Sequence, residues 1–78
     1  MKNALYILDP GALDRIYGPA ERADLANRLN LPGPPLAAAD ALAQPRRLAE
    51  MEVLLTGWGA PRLDARFLEL APRLEAVF

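Results

Sequence analysis

The chain alternates short apolar runs with longer stretches in which apolar residues recur at helical spacing. Ala4-Leu5-Tyr6-Ile7-Leu8 is a continuous apolar run closed by Asp9-Pro10-Gly11, the pattern of a strand buried on both faces. Leu13, Ile16 and Tyr17 then fall at helical spacing before Gly18-Pro19 interrupts them. Glu21 to Leu29 reads as an amphipathic helix, with Leu25, Ala26 and Leu29 facing inward and Glu21, Arg22, Asp24 and Arg28 facing outward. The segment "NLPGPP" is extended, because each proline drives the residue before it out of the helical region. It is at best a short edge strand. Ala37 to Glu50 is helical again, with Pro45 opening a second segment at a first-turn position, where proline is tolerated.

Val53-Leu54-Leu55 forms the second clear strand. Beyond it, Leu63, Phe67, Leu70 and Leu74 recur at spacings of four, three and four, one stripe of a helix that Pro72 ends. Asp64 stands where that helix needs a capping residue. Leu74 to Phe78 starts a last strand-like run. The order is strand, helix, weak strand, helix, strand, helix, strand. It predicts an α/β fold, a parallel sheet of about four strands with helices on both faces. Residues 1–78 form one domain, with no repeat and no linker. The final apolar pair, Val77-Phe78, sits inside a strand pattern, and this favours an incomplete domain, the front of something longer, over a small closed one.

Composition narrows the chemistry. Apolar residues make up 53% of the chain and charged residues 24%, as in a packed globular domain. Ten acidic and nine basic side chains give a formal charge of −1, so nothing electrostatic points to nucleic acid or to an anionic membrane surface. No run approaches the ~18 apolar residues of a membrane span. The N-terminal apolar run is too short for a signal-peptide core. The absence of cysteine suits a reducing compartment. Together these predict a cytoplasmic chain.

There is also no histidine. Without histidine or cysteine the commonest general bases, thiol nucleophiles and most transition-metal ligands are missing. The carboxylates are scattered on polar faces. No catalytic residue and no metal site is assigned. Gly57-Trp58-Gly59 offers the first two glycines of a dinucleotide fingerprint, but Arg62 stands at the third position, and the flanking unit and later acidic residue are missing. A nucleotide site within these residues is therefore rejected.

The turns after the two clear strands remain, Asp9-Pro10-Gly11 and Thr56-Gly57-Trp58-Gly59. In open α/β sheets ligands bind beyond the carboxyl ends of the strands, where strand order reverses. If the first and third strands are neighbours, both turns flank that crevice. Thr56, Gly57, Trp58 and Gly59 are the candidate pocket wall: the glycines admit a close backbone approach and the tryptophan gives an apolar wall with one donor. The competing reading makes the glycines a tight turn and Trp58 a plug for the core.

Two stretches, "ALYILDPGALDRIYGP" and "EVLLTGWGAPRLDARFLELAPRLEAVF", resemble the opening of the D-isomer-specific 2-hydroxyacid dehydrogenases. Most of the likeness lies in the second. There Glu52 precedes the apolar residues Val53 to Leu55, the small turn Thr56 to Gly59, a helix from Arg62 to Leu70, and Ala71-Pro72-Arg73-Leu74 leading into the next strand. The resemblance implies the front of a discontinuous, flavodoxin-like substrate domain, with Thr56 to Gly59 near the pocket for a small 2-hydroxy or 2-oxo acid. It implies NAD or NADP as cofactor of the full-length parent, with no cofactor bound by this chain. The family's carboxylate-holding loop would begin just after Phe78, and its glycine-rich loop and catalytic arginine, acidic residue and histidine have no counterpart here. The alternative is a stand-alone, non-catalytic flavodoxin-like module that pairs its exposed sheet edge with a second copy.

Overall fold

A computed structural model describes residues 1–78. Four strands, β1 (Lys2–Ile7), β2 (Leu29–Asn30), β3 (Val53–Thr56) and β4 (Ala76–Val77), form one sheet in the order β2-β1-β3-β4. Every pairing is parallel. The fold is α/β, a partial flavodoxin-like sheet with helices on both faces.

β1 and β3 form the centre, registered from Ala4 opposite Val53 to Ile7 opposite Thr56. Residues alternate between faces along a strand, so their apolar runs supply two cores at once. Leu5, Ile7 and Leu54 meet Ala41 of α3 (Ala38–Leu42), Leu48 of α4 (Pro45–Glu50) and Phe67 of α5 (Ala65–Leu70). On the other face Ala4, Tyr6, Leu8, Val53 and Leu55 meet Leu13 of α1 (Leu13–Ile16) and the half-buried Tyr17 and Leu25, the latter in α2 (Pro19–Arg28). A 3-10 turn, Pro10–Ala12, joins β1 to α1, and Asp9 caps it by accepting from Gly11 N–H at 3.0 Å.

Pro45 opens α4 at its first turn, as its position predicts, and Asp64 caps α5 by accepting from Phe67 N–H at 2.9 Å. Other expectations are corrected. The Leu63 to Leu74 stripe outruns its helix: α5 covers only Ala65–Leu70, Leu63 precedes the cap and is 45% exposed, and Leu74 packs on the core from beyond the helix. The cap at Asp64 and Pro72 set those limits. The edge strand falls on Leu29–Asn30, ahead of the prolines, which lack the N–H that pairing requires. Leu36, just past them, makes a single parallel bridge to Ile7. In α2 no residue is buried: Ala26 is exposed, while Arg22, expected outside, is half-buried and pairs with Asp14 at 2.9 Å. Only Arg22 and Leu25 of the helix are half-buried.

The two layers are covered unequally. Beside α2 an apolar groove of about 600 Å³ runs to the β4 edge over Leu25, Leu29, Val53, Leu55, Ala76 and Phe78. No helix is long and apolar enough to cross a membrane.

Candidate functional site

The order β2-β1-β3-β4 reverses direction between β1 and β3. The chain leaves β1 toward β2 on one side and returns through β3 toward β4 on the other. The crevice side of the sheet therefore lies at the carboxyl ends of Ile7 and Thr56, and both turns singled out in the sequence stand there.

The turns are fastened to each other. Asp9 N–H donates to the Trp58 carbonyl at 2.7 Å, and Ala60 N–H closes the turn on the Gly57 carbonyl at 3.1 Å. Gly59 has a φ of +79°, in the left-handed region that disfavours side chains. A Cβ there would stand 2.8 Å from Asp9 N. A Cβ on Gly57 would collide with the Ile16 side chain. Both glycines thus let the β3 turn close on the segment after β1. The Trp58 ring is pushed outward, 64% exposed, so it does not plug the core.

Thr56 is the most firmly held of the four. Its N–H donates to the Phe78 carbonyl at 2.9 Å, and its carbonyl accepts from the Tyr17 hydroxyl at 2.9 Å. Its Oγ1 is buried without a hydrogen-bond partner, as are the Tyr6 hydroxyl and Arg22 Nε. Tyr6 and Tyr17 meet edge to face with ring centroids 5.2 Å apart. Burial raises the pKa of both phenols, and for Tyr17 the bond to Thr56 pulls the other way. Both phenols are neutral at neutral pH, and Tyr17 braces the end of β3 through its bond to Thr56.

Thr56, Gly57, Trp58 and Gly59 are adjacent at one rim of the sheet, yet none of them lines any of the three cavities. The α2 groove reaches Leu55, Tyr17 and Phe78 beside Thr56, and a second cleft begins at Ala60, on the α3–α5 side. Sequence reasoning missed that cleft. Its residues come from α3 and the start of α5, which only the fold brings together, although Arg62 and Arg66 stand four apart in the sequence.

The geometry does not fit a dinucleotide. The space in front of Gly57 and Gly59 is filled by Ile16 and Asp9, and the turn leads into the irregular residues 60–64 instead of directly into a helix. No group of three metal-ligating side chains comes together either. What the site offers is an exposed aromatic ring on a rigid double turn at the strand-order reversal. Comparison of the chain with protein-family models, curated proteins and solved structures finds no match.

Proposed function

We propose that this chain forms the opening segment of the substrate domain of an NAD(P)-dependent D-2-hydroxyacid dehydrogenase. The observation that carries the reading is the clasp between the two switch-point turns, which leaves Trp58 exposed in the turn that follows β3. Trp58 and the turn around it form one wall of the pocket for a small 2-hydroxy or 2-oxo acid. The nicotinamide site and the acid–base residues come from polypeptide outside these 78 residues, so the segment alone transfers no hydride. The DNA downstream of the Phe78 codon tests this directly. It should continue, in the same frame or as a co-transcribed partner, into a glycine-rich fingerprint after a strand. The complete product should oxidise NADH or NADPH with a 2-oxo acid, and Trp58→Ala should raise KM more than it lowers kcat. Absence of any such coding sequence, or a complete product that fails to oxidise either cofactor, sinks the reading.

One observation favours a second reading, a non-catalytic module that pairs with its own copy. Phe78 bonds inward to β3 through both its N–H and its carbonyl, so by strand alternation the N–H and carbonyl of Val77 face outward from the sheet edge. Val77 and Phe78 are 43% and 69% exposed. Light scattering separates the two readings: a discrete dimer that Val77→Lys converts to monomer supports the module, and a monomer at all concentrations removes it.

A further inference from the structure

A cleft of about 430 Å³ opens between α3 and the segment running from Ala60 into α5. Ala38, Leu42, Phe67 and Leu70 give it apolar walls, and Arg62 and Arg66 line it together. The molecule's ion pairs engage Lys2, Arg22 and Arg28 and leave both of these arginines without a carboxylate partner. The one acid in the lining, Asp64, is committed through Oδ1 to the backbone of Phe67. Two unpaired guanidinium groups thus line one cleft with no ion pair to offset their like charge. An oxyanion bound there offsets that charge and accepts paired N–H bonds from a guanidinium fork whose planar geometry matches it. The volume falls within the range of small-molecule pockets, and the apolar walls suit a ring or branched chain.

We propose that this cleft binds a small organic oxyanion carried on an apolar body. Arg62 and Arg66 hold the charged end, and Leu42, Phe67 and Leu70 enclose the rest. The site is independent of the proposed dehydrogenase role. Thr56 to Gly59 take no part in it, and the ligand need carry neither a 2-hydroxy nor a 2-oxo group.

Calorimetric titration of the 78-residue chain at low ionic strength tests it, using phenylacetate, phenyl phosphate and the neutral 2-phenylethanol. At least one anion should bind saturably and the alcohol should not; which anion binds tells carboxylate from phosphate recognition. Arg62→Gln and Arg66→Gln should each weaken binding about tenfold, and the double variant should abolish it. Arg73→Gln, which lines no cavity, should bind as the parent does. All three positions carry exposed side chains, and matching amide spectra confirm that the variants keep the fold. Failure of both anions to bind, equal binding of the alcohol, or unchanged affinity in the double variant overturns the proposal.

Discussion

Gly57 and Gly59 flank the same tryptophan for different reasons, and the difference is measurable. At Gly59 an added methyl would enter a left-handed backbone and meet Asp9 N at 2.8 Å. That backbone cannot withdraw, because it is the donor of the 2.7 Å bond to the Trp58 carbonyl. At Gly57 the obstacle is Ile16 Cδ1, the far end of a partly exposed side chain that can rotate away. Gly59→Ala should therefore cost about 1–3 kcal/mol in urea unfolding, and Gly57→Ala less than about 1 kcal/mol. Equal losses would show that the clasp does not constrain Gly59. The glycine turn itself was legible in the sequence, and so was its position after a buried strand. Its partners were legible only in part: the turn at Asp9 was expected beside it if the first and third strands pair, whereas the contact with Ile16 was not. Asp9 and Ile16 lie some forty to fifty positions away, and only the parallel registry of β1 with β3 brings them to the turn.

Among the elements, those whose boundaries are fixed by local chemistry were legible, and those whose inward face depends on a distant neighbour were not. Val53 to Leu55 and Ala4 to Ile7 read as strands because both of their faces are buried, which leaves no polar alternation. In α2 the apolar stripe placed Ala26 inside, but the half-buried positions are Arg22 and Leu25, and Ala26 is exposed and outside the groove that Glu21, Asp24, Leu25 and Arg28 line. α5 shows the local case. Asp64 begins it by accepting the Phe67 N–H, and Phe67 is then the one buried residue of the helix. A single side chain thus both starts the helix and orients its core anchor. Asp64→Ala should lower stability by about 1 kcal/mol, whereas Asp64→Asn, which keeps the acceptor, should lose little. Chemical denaturation of the two variants decides it. A loss as large for asparagine as for alanine would mean that the charge matters and the cap does not.

At the scale of the whole molecule, the open side of the sheet governs both charge and motion. Lys2 on β1 reaches Glu75 just ahead of β4, with Nζ 2.7 Å from Oε2, and also approaches Glu52 at 4.0 Å. The hydrogen bond to Glu75 raises the Lys2 pKa above its ordinary 10.5, and the same bond lowers that of Glu75 below 4.5. The Glu75 contribution is thus full above about pH 4.5 and is lost as pH falls through the depressed folded-state value. That of Lys2 is full below about pH 10.5 and is lost as pH rises through the raised one. Both groups are solvent-exposed, so salt should weaken the pair. Glu75→Gln should flatten the acid limb of a stability–pH curve, while the alkaline loss from the Tyr6 and Tyr17 phenols, whose pKa values burial raises, persists. An unchanged acid limb would place the titrating group elsewhere. The uneven cover of the two faces leads to the last expectation. β1 and β3 are buried between both layers, but α2 contributes no buried residue and borders the apolar groove. Its opening exposes little new apolar surface, so it should cost much less than global unfolding and depend weakly on denaturant. In native-state hydrogen exchange the amides of Arg22 to Arg28 should exchange by such local opening, while those of Leu5 to Ile7 and Leu54 to Leu55 wait for global unfolding. Protection of α2 equal to that of β3 would mean that the groove is filled in solution, and a dimer bound across the β4 edge would be the first occupant to look for.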